Sequence, residues 1–146
     1  MTSITVSAAE LLLHRLQALD VAYIFINSGT DYPPVIEAWA KMRATGQQVP
    51  ELVICPHENA AIGMAHGYYL GSGKVQAVMV HTNVGLANAA CGVINLANSN
   101  IPVLIFGGRT PISEHSHFGC RNTPIGYGQE MRDQAALIRE SVKWDF

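Results

Sequence analysis

Val21-Ala22-Tyr23-Ile24-Phe25-Ile26, followed at once by Asn27-Ser28-Gly29-Thr30-Asp31, decides the fold class. The first six residues are β-branched, aromatic or small, with no polar residue at alternate positions. A strand with one wet face alternates; a strand buried on both faces does not, and the latter belongs to parallel sheets covered by helices. The polar turn after it contains a glycine and runs into Pro33-Pro34, which suits the first turn of a helix. Strand, turn and helix are therefore expected in that order, with the helix over Val35 to Met42.

Outward from this unit the pattern repeats. Upstream, Ser7 and Glu10 are spaced as a capping box, and Leu12, Leu16 and Leu19 follow at helical intervals. Downstream, Glu51 to Cys55 reads as a strand and Glu58 to Leu70 as an alanine-rich helix stopped by Gly71-Ser72-Gly73. Val75 to Val80 is a third strand, Leu86 to Ala97 a helix of small residues, and Pro102 to Phe106 a fourth strand. This alternation predicts an α/β fold, a doubly wound parallel sheet flanked by helices. Periodicity vanishes from Gly107 to Gly128, a stretch long enough to suggest a functional loop. Gln129 to Glu140 then reads as a polar helix. Val142 to Phe146 begins an element that the chain does not finish, so the sheet is expected to be truncated before its last strand.

Composition narrows the function. The 146 residues suit one domain. Lys and Arg number 9 against 11 Asp and Glu, a net charge of −2, which argues against a nucleic-acid partner. Charged residues are 14% of the chain, against about 25% in ordinary soluble domains, so the chain is expected either to bury most of its surface or to hide some of it against a partner. The longest apolar run, Val21 to Ile26, is far short of the roughly 20 residues of a membrane span. No basic segment precedes an apolar one at the N-terminus, so no signal peptide is read there. Cys55, Cys91 and Cys120 are odd in number and far apart, which fits neither a disulfide framework nor a zinc site. Cytoplasm is the default compartment.

Ligands of open α/β sheets bind beyond the carboxyl ends of the strands, so the strand-to-helix turns carry the weight. Glu58 stands at a predicted helix N-terminus. On spacing alone it reads first as a capping acid, which the helix dipole favours by about 0.3–1 kcal/mol. His81 to Gly85 lacks the glycine spacing of a dinucleotide fingerprint, and no P-loop motif exists. Ser28 and Ser72 lack a nucleophile-elbow setting. His115 and His117 have no third ligand at helical spacing, so no metal site is assigned. Asp31 reads either as a ligand contact or as the cap of the next helix, and His57 either as a site residue or as a cap of its own turn.

The run His57-Glu58-Asn59-Ala60-Ala61-Ile62-Gly63-Met64-Ala65-His66-Gly67-Tyr68, continued to Gly73, resembles the H-E-x-A-A-x-x-M-A-x-G-Y segment of thiamine-diphosphate-dependent enzymes. The chain is similar over nearly its whole length to the N-terminal pyrimidine-binding domain of the acetolactate synthase, benzoylformate decarboxylase and pyruvate decarboxylase group. Gly85 and Asn88 match the T-x-G-P-G-x-x-N segment of that group; Asn83 and Val84 stand where it has Gly and Pro. Gln129-Glu130 with Asp133 resembles its Q-E-x-x-D. The resemblance implies that Glu58 shares a proton with N1′ of the cofactor aminopyrimidine, and thereby promotes loss of the thiazolium C2 proton. It implies cofactor contacts at Thr82, Asn83, Gly85 and Asn88. It implies substrate contacts at Ser28, Gly29, Thr30, Asp31, His57, His115, His117 and Gln129. His115 and His117 lie where pyruvate decarboxylases carry adjacent histidines, here separated by Ser116.

The same resemblance implies thiamine diphosphate as cofactor, with Mg²⁺ held by a separate diphosphate-binding domain, because no G-D-G motif occurs in this chain. That partner domain would come from the same or another chain, in a homodimer or homotetramer. The 146 residues are then expected to be an N-terminal fragment, inactive alone. Two alternatives stand beside this reading. One is the small subunit of a split sulfopyruvate- or phosphonopyruvate-type decarboxylase; the other is an α/β interaction module without catalysis.

Overall fold

A computed structural model describes residues 6–109, 113, 115, 129 and 131–146. Four strands, β1 (Tyr23–Ile26), β2 (Glu51–Ile54), β3 (Gln76–Val80) and β4 (Val103–Gly107), alternate with α1 (Ala8–Ala18), α2 (Pro33–Ala44), α3 (Glu58–Ser72) and α4 (Thr82–Ser99). The sheet is parallel throughout, in the order β2-β1-β3-β4.

The missing polar alternation has its expected cause. Ile24 and Ile26 of β1, with Ala77 and Met79 of β3, meet Leu13, Leu16, Val35 and Met42 of α1 and α2. The intervening Phe25, Val78 and Val80 meet Ala61, Ile62, Leu86 and Val93 of α3 and α4 on the other face. Apart from Gln76 at the start of β3, the central strands are thus apolar at every position because both of their faces are covered.

Helix ends follow their sequence signals. The Ser7 hydroxyl accepts from Glu10 N–H at 3.1 Å, and the Glu10 carboxylate accepts from Ser7 N–H at 2.8 Å. Lys41 and Ser7 together hold the Glu10 carboxyl down to about 2. Gly73 ends α3 with φ of 70°, a conformation that glycine adopts without steric cost.

Two expectations are corrected. First, α4 begins at Thr82 rather than Leu86, so Thr82, Asn83 and Gly85 lie in a helix's first turn and not in a loop. Thr82 is buried and has φ of 46°, costly for a β-branched residue and most often tolerated at functional sites. Second, the stretch Gln129 to Glu140, expected as a helix, is not one continuous helix over its described residues 131–140. It contains one-turn 3₁₀ segments at Ala135–Leu137 and Arg139–Ser141. Arg139 bonds both oxygens of Asp133 at 2.8 Å and reaches Asp145 at 2.7 Å, while Asp133 also accepts from Ala136 N–H. Ile138 and Val142 reach the α3–α4 core from this bent path.

The small residues of α4 serve close approach. A Cβ on Gly92 would lie 2.6 Å from Ile62 Cγ2 and from Asn59 Oδ1, both on α3. Gly92→Ala is therefore expected to destabilise the protein by about 1–3 kcal/mol. Chemical denaturation of the full-length protein checks this, and an unchanged midpoint would show that the two helices can separate freely.

Candidate functional site

The strand order places a reversal between β1 and β3. From β1 the chain moves out to β2 on one side, and β3 returns on the other. In open α/β sheets this is where the connections diverge and leave a crevice. The turns after β1, β2, β3 and β4 meet at this end of the sheet.

Glu58 is the first residue of α3 and is 6% exposed. His57 precedes it as N-cap, accepting from Asn59 N–H through Nδ1 at 3.1 Å. The capping function is thus filled by His57, which frees Glu58 from that duty. Asn88 of α4 donates from Nδ2 to Glu58 Oε2 at 3.1 Å. Gly85 lies opposite the other oxygen: a Cβ there would sit 3.2 Å from Glu58 Oε1 and equally close to Val80. Two residues expected at a cofactor site, Gly85 and Asn88, therefore converge on the third, Glu58. The absent side chain at Gly85 leaves Oε1 open to a ligand.

The turn after β1 is fixed by cross-links. Asn27 donates to Cys55 O at 3.2 Å, and the buried Tyr32 hydroxyl donates to Met79 O at 2.9 Å. Burial pushes the Tyr32 phenol's pKa up, so it remains a donor. Asp31 does not cap α2; the cap position is Tyr32, without a side-chain bond. Instead Asp31 Oδ1 lies 2.5 Å from His81 Nδ1, and Oδ2 accepts from Gly108 N–H at 2.8 Å. His81 Nε2 in turn lies 3.0 Å from Gln129 Nε2, and the other amide atom, Gln129 Oε1, is buried with no partner. Gly29 has to be glycine, since a Cβ would fall 2.8 Å from His81 Nδ1.

Among the expected substrate contacts, Asp31 and Gln129 are joined through His81, a residue the sequence reading left without a role. Ser28, Thr30, His57 and His115 are exposed. His117 lies outside the described residues. No group of three potential metal ligands occurs among the described residues. No helix there is long and apolar enough to cross a membrane. A concavity of about 480 Å³ opens at the opposite end of the sheet, between Asp20, Arg43, Gln48 and Glu51. It is remote from the strands' carboxyl ends and gathers none of these groups.

Residues 6–137 match the model of the thiamine pyrophosphate enzyme N-terminal TPP binding domain. The chain belongs to that family. The domain is 31% identical over 141 residues to the acetolactate synthase large subunit of Lactococcus lactis subsp. lactis, covering 91% of this chain and 24% of that protein. It is 30% identical over 105 residues to the acetolactate synthase large subunit of Haemophilus influenzae, covering 70% of this chain and 17% of that one. The chain thus spans a quarter or less of these relatives. In fold the domain is similar to the thiamine diphosphate-dependent 4-hydroxybenzoylformate decarboxylase of Rhodococcus jostii RHA1. The TM-score is 0.74 at 24% identity, over 95% of this chain and 24% of that chain. This TPP-binding domain is therefore acetolactate-synthase-like in sequence and has the α/β fold of thiamine-diphosphate-dependent enzymes.

Proposed function

We propose that the domain holds the aminopyrimidine half of thiamine diphosphate in a 2-keto-acid decarboxylase or carboligase, with Glu58 as the cofactor-activating acid. The observation that carries this reading is the buried Glu58 carboxylate, gripped at Oε2 by Asn88 and left open at Oε1 by Gly85. Those features suit a ring nitrogen that must share a proton with a carboxyl group. Bound thiamine diphosphate supplies an electron sink for the carbon–carbon bond broken in a 2-keto acid.

In this reading Glu58 holds and returns the proton at N1′, as a positioned acid–base group. Asn88 fixes the carboxylate's rotation. Thr82 and Asn83 open α4 beside it and contribute to the same wall. On the family resemblance, the Ser28 to Asp31 turn, His57, Gln129, His115 and His117 are assigned to substrate recognition. Mg²⁺ and the diphosphate belong to a second domain of the same or another chain, in a cytoplasmic homodimer or homotetramer. The 146 residues are one part of that enzyme and inactive alone.

The test is carbon dioxide release from a panel of 2-keto acids by the full-length protein, with and without thiamine diphosphate and Mg²⁺. Cofactor-dependent release supports the reading. Its absence across the panel, with the cofactor shown to be bound, overturns it.

A further inference from the structure

We propose that Asp31 is a positioning residue that fixes a proton on Nδ1 of His81, so that His81 exchanges protons only at Nε2, beside Gln129. A carboxylate accepts hydrogen bonds and donates none. Asp31 Oδ1, 2.5 Å from His81 Nδ1, therefore requires the proton on that nitrogen. The second oxygen is committed to Gly108 N–H, so the carboxylate is held from two sides. Its side chain is 8% exposed and that of His81 16%. The three groups come from the turns after β1, β3 and β4, so the pair straddles the crevice at the β1–β3 reversal.

Nε2 is then the nitrogen that changes state. Gln129 suits both states of it. With a neutral ring, the amide NH₂ donates to the Nε2 lone pair at 3.0 Å, and Gln129 Oε1 is left buried without a partner. With a charged ring, half a turn of the amide brings Oε1 to the Nε2–H and sets the NH₂ in the place the oxygen held. A histidine oriented by a carboxylate, with its far nitrogen facing a crevice, is equipped to take a proton from one ligand atom and return it to another. Its use on a keto acid rests on the decarboxylase reading above; its tautomer does not.

Asp31→Asn separates these roles. Asparagine has one acceptor oxygen, and Gly108 N–H claims it. The amide NH₂ then faces His81 Nδ1 as a donor and drives the ring proton to Nε2, the wrong tautomer for exchange there. Two-bond ¹⁵N–¹H correlation spectra of full-length protein labelled at histidine, in alkaline buffer where imidazoles are neutral, read the tautomer directly. Loss of its signal in His81→Gln assigns the residue. The expected result is Nδ1–H for the parent protein and Nε2–H for Asp31→Asn. Nε2–H in the parent, or no change in the variant, overturns the proposal. The parent spectrum stands even if a variant fails to fold.

Turnover supplies the second readout. Asp31→Asn is expected to lower kcat by about 10²-fold with KM within about threefold. In a His81→Gln background it should lower kcat no further, whereas independent losses would multiply and refute action through His81. Were the parent protein inactive on every keto acid, the decarboxylase reading would fall, while the tautomer result would still decide this one.

Discussion

Glu58→Gln in the full-length protein lowers cofactor-dependent turnover of 2-keto acids by about 10²–10⁴-fold, with the fold intact. The size follows from what glutamine keeps and loses. Its side-chain oxygen can still accept from Asn88 Nδ2, and its shape still fits opposite Gly85 and Val80. The helix N-terminus remains capped by His57. What disappears is the exchangeable proton. KM changes little if glutamine still hydrogen-bonds the ring nitrogen, so the loss belongs to kcat. Steady-state kinetics of both proteins at saturating cofactor check this. Equal kcat values would remove Glu58 from the chemistry and return it to the role of an acid at a helix N-terminus. Thermal unfolding of both proteins, measured alongside, separates a chemical loss from a folding defect.

The parts of this architecture that are local in sequence could be read from it, and the parts that join distant turns could not. The uninterrupted apolar run Val21 to Ile26 announced Tyr23–Ile26 as a doubly covered strand, because burial on two faces acts on every residue of a strand. The capping box at Ser7 and the stop at Gly73 depend only on neighbouring residues. By contrast, Asp31 meets His81 across 50 positions and Gly108 across 77, through side chains whose encounter depends on strand order. The only sequence signal for His81 was its place directly after a buried strand. The helix expected over Gln129 to Glu140 failed for a related reason. Polar composition fits a helix, yet Arg139 gathers Asp133 and Asp145 six positions away on either side, a spacing that favours a folded-back path. Glu58 was visible as a residue, but its grip by Asn88 joins two different helices and needed the fold.

Gln76→Met shows how much stability depends on one such long-range contact. Gln76 is fully buried at the start of β3. Its Oε1 accepts from Ala22 N–H at 3.1 Å and Tyr23 N–H at 2.7 Å, and its Nε2 donates to Val75 O at 2.7 Å. One amide thus finishes the hydrogen bonding where the chain enters β1 beside β3. Methionine has nearly the same length and no comparable acceptor, so it leaves two backbone donors and a carbonyl without partners. A buried group stranded in this way costs about 1–3 kcal/mol. The methionine side chain recovers some of this through apolar burial, and a net loss of about 2–5 kcal/mol is expected. That is a large share of the roughly 5–15 kcal/mol by which domains are stable. Urea unfolding of the full-length protein, with Gln76→Glu alongside, measures it. The Gln76→Glu variant keeps the oxygen acceptors and loses the donor, so its destabilisation carries the added cost of burying a charge. Because Gln76 lies at the end of the sheet away from Glu58, Asp31 and His81, the folded fraction of Gln76→Met should retain its kcat. A fall in kcat that exceeds the loss of folded protein would mean that the two ends of the sheet are mechanically coupled.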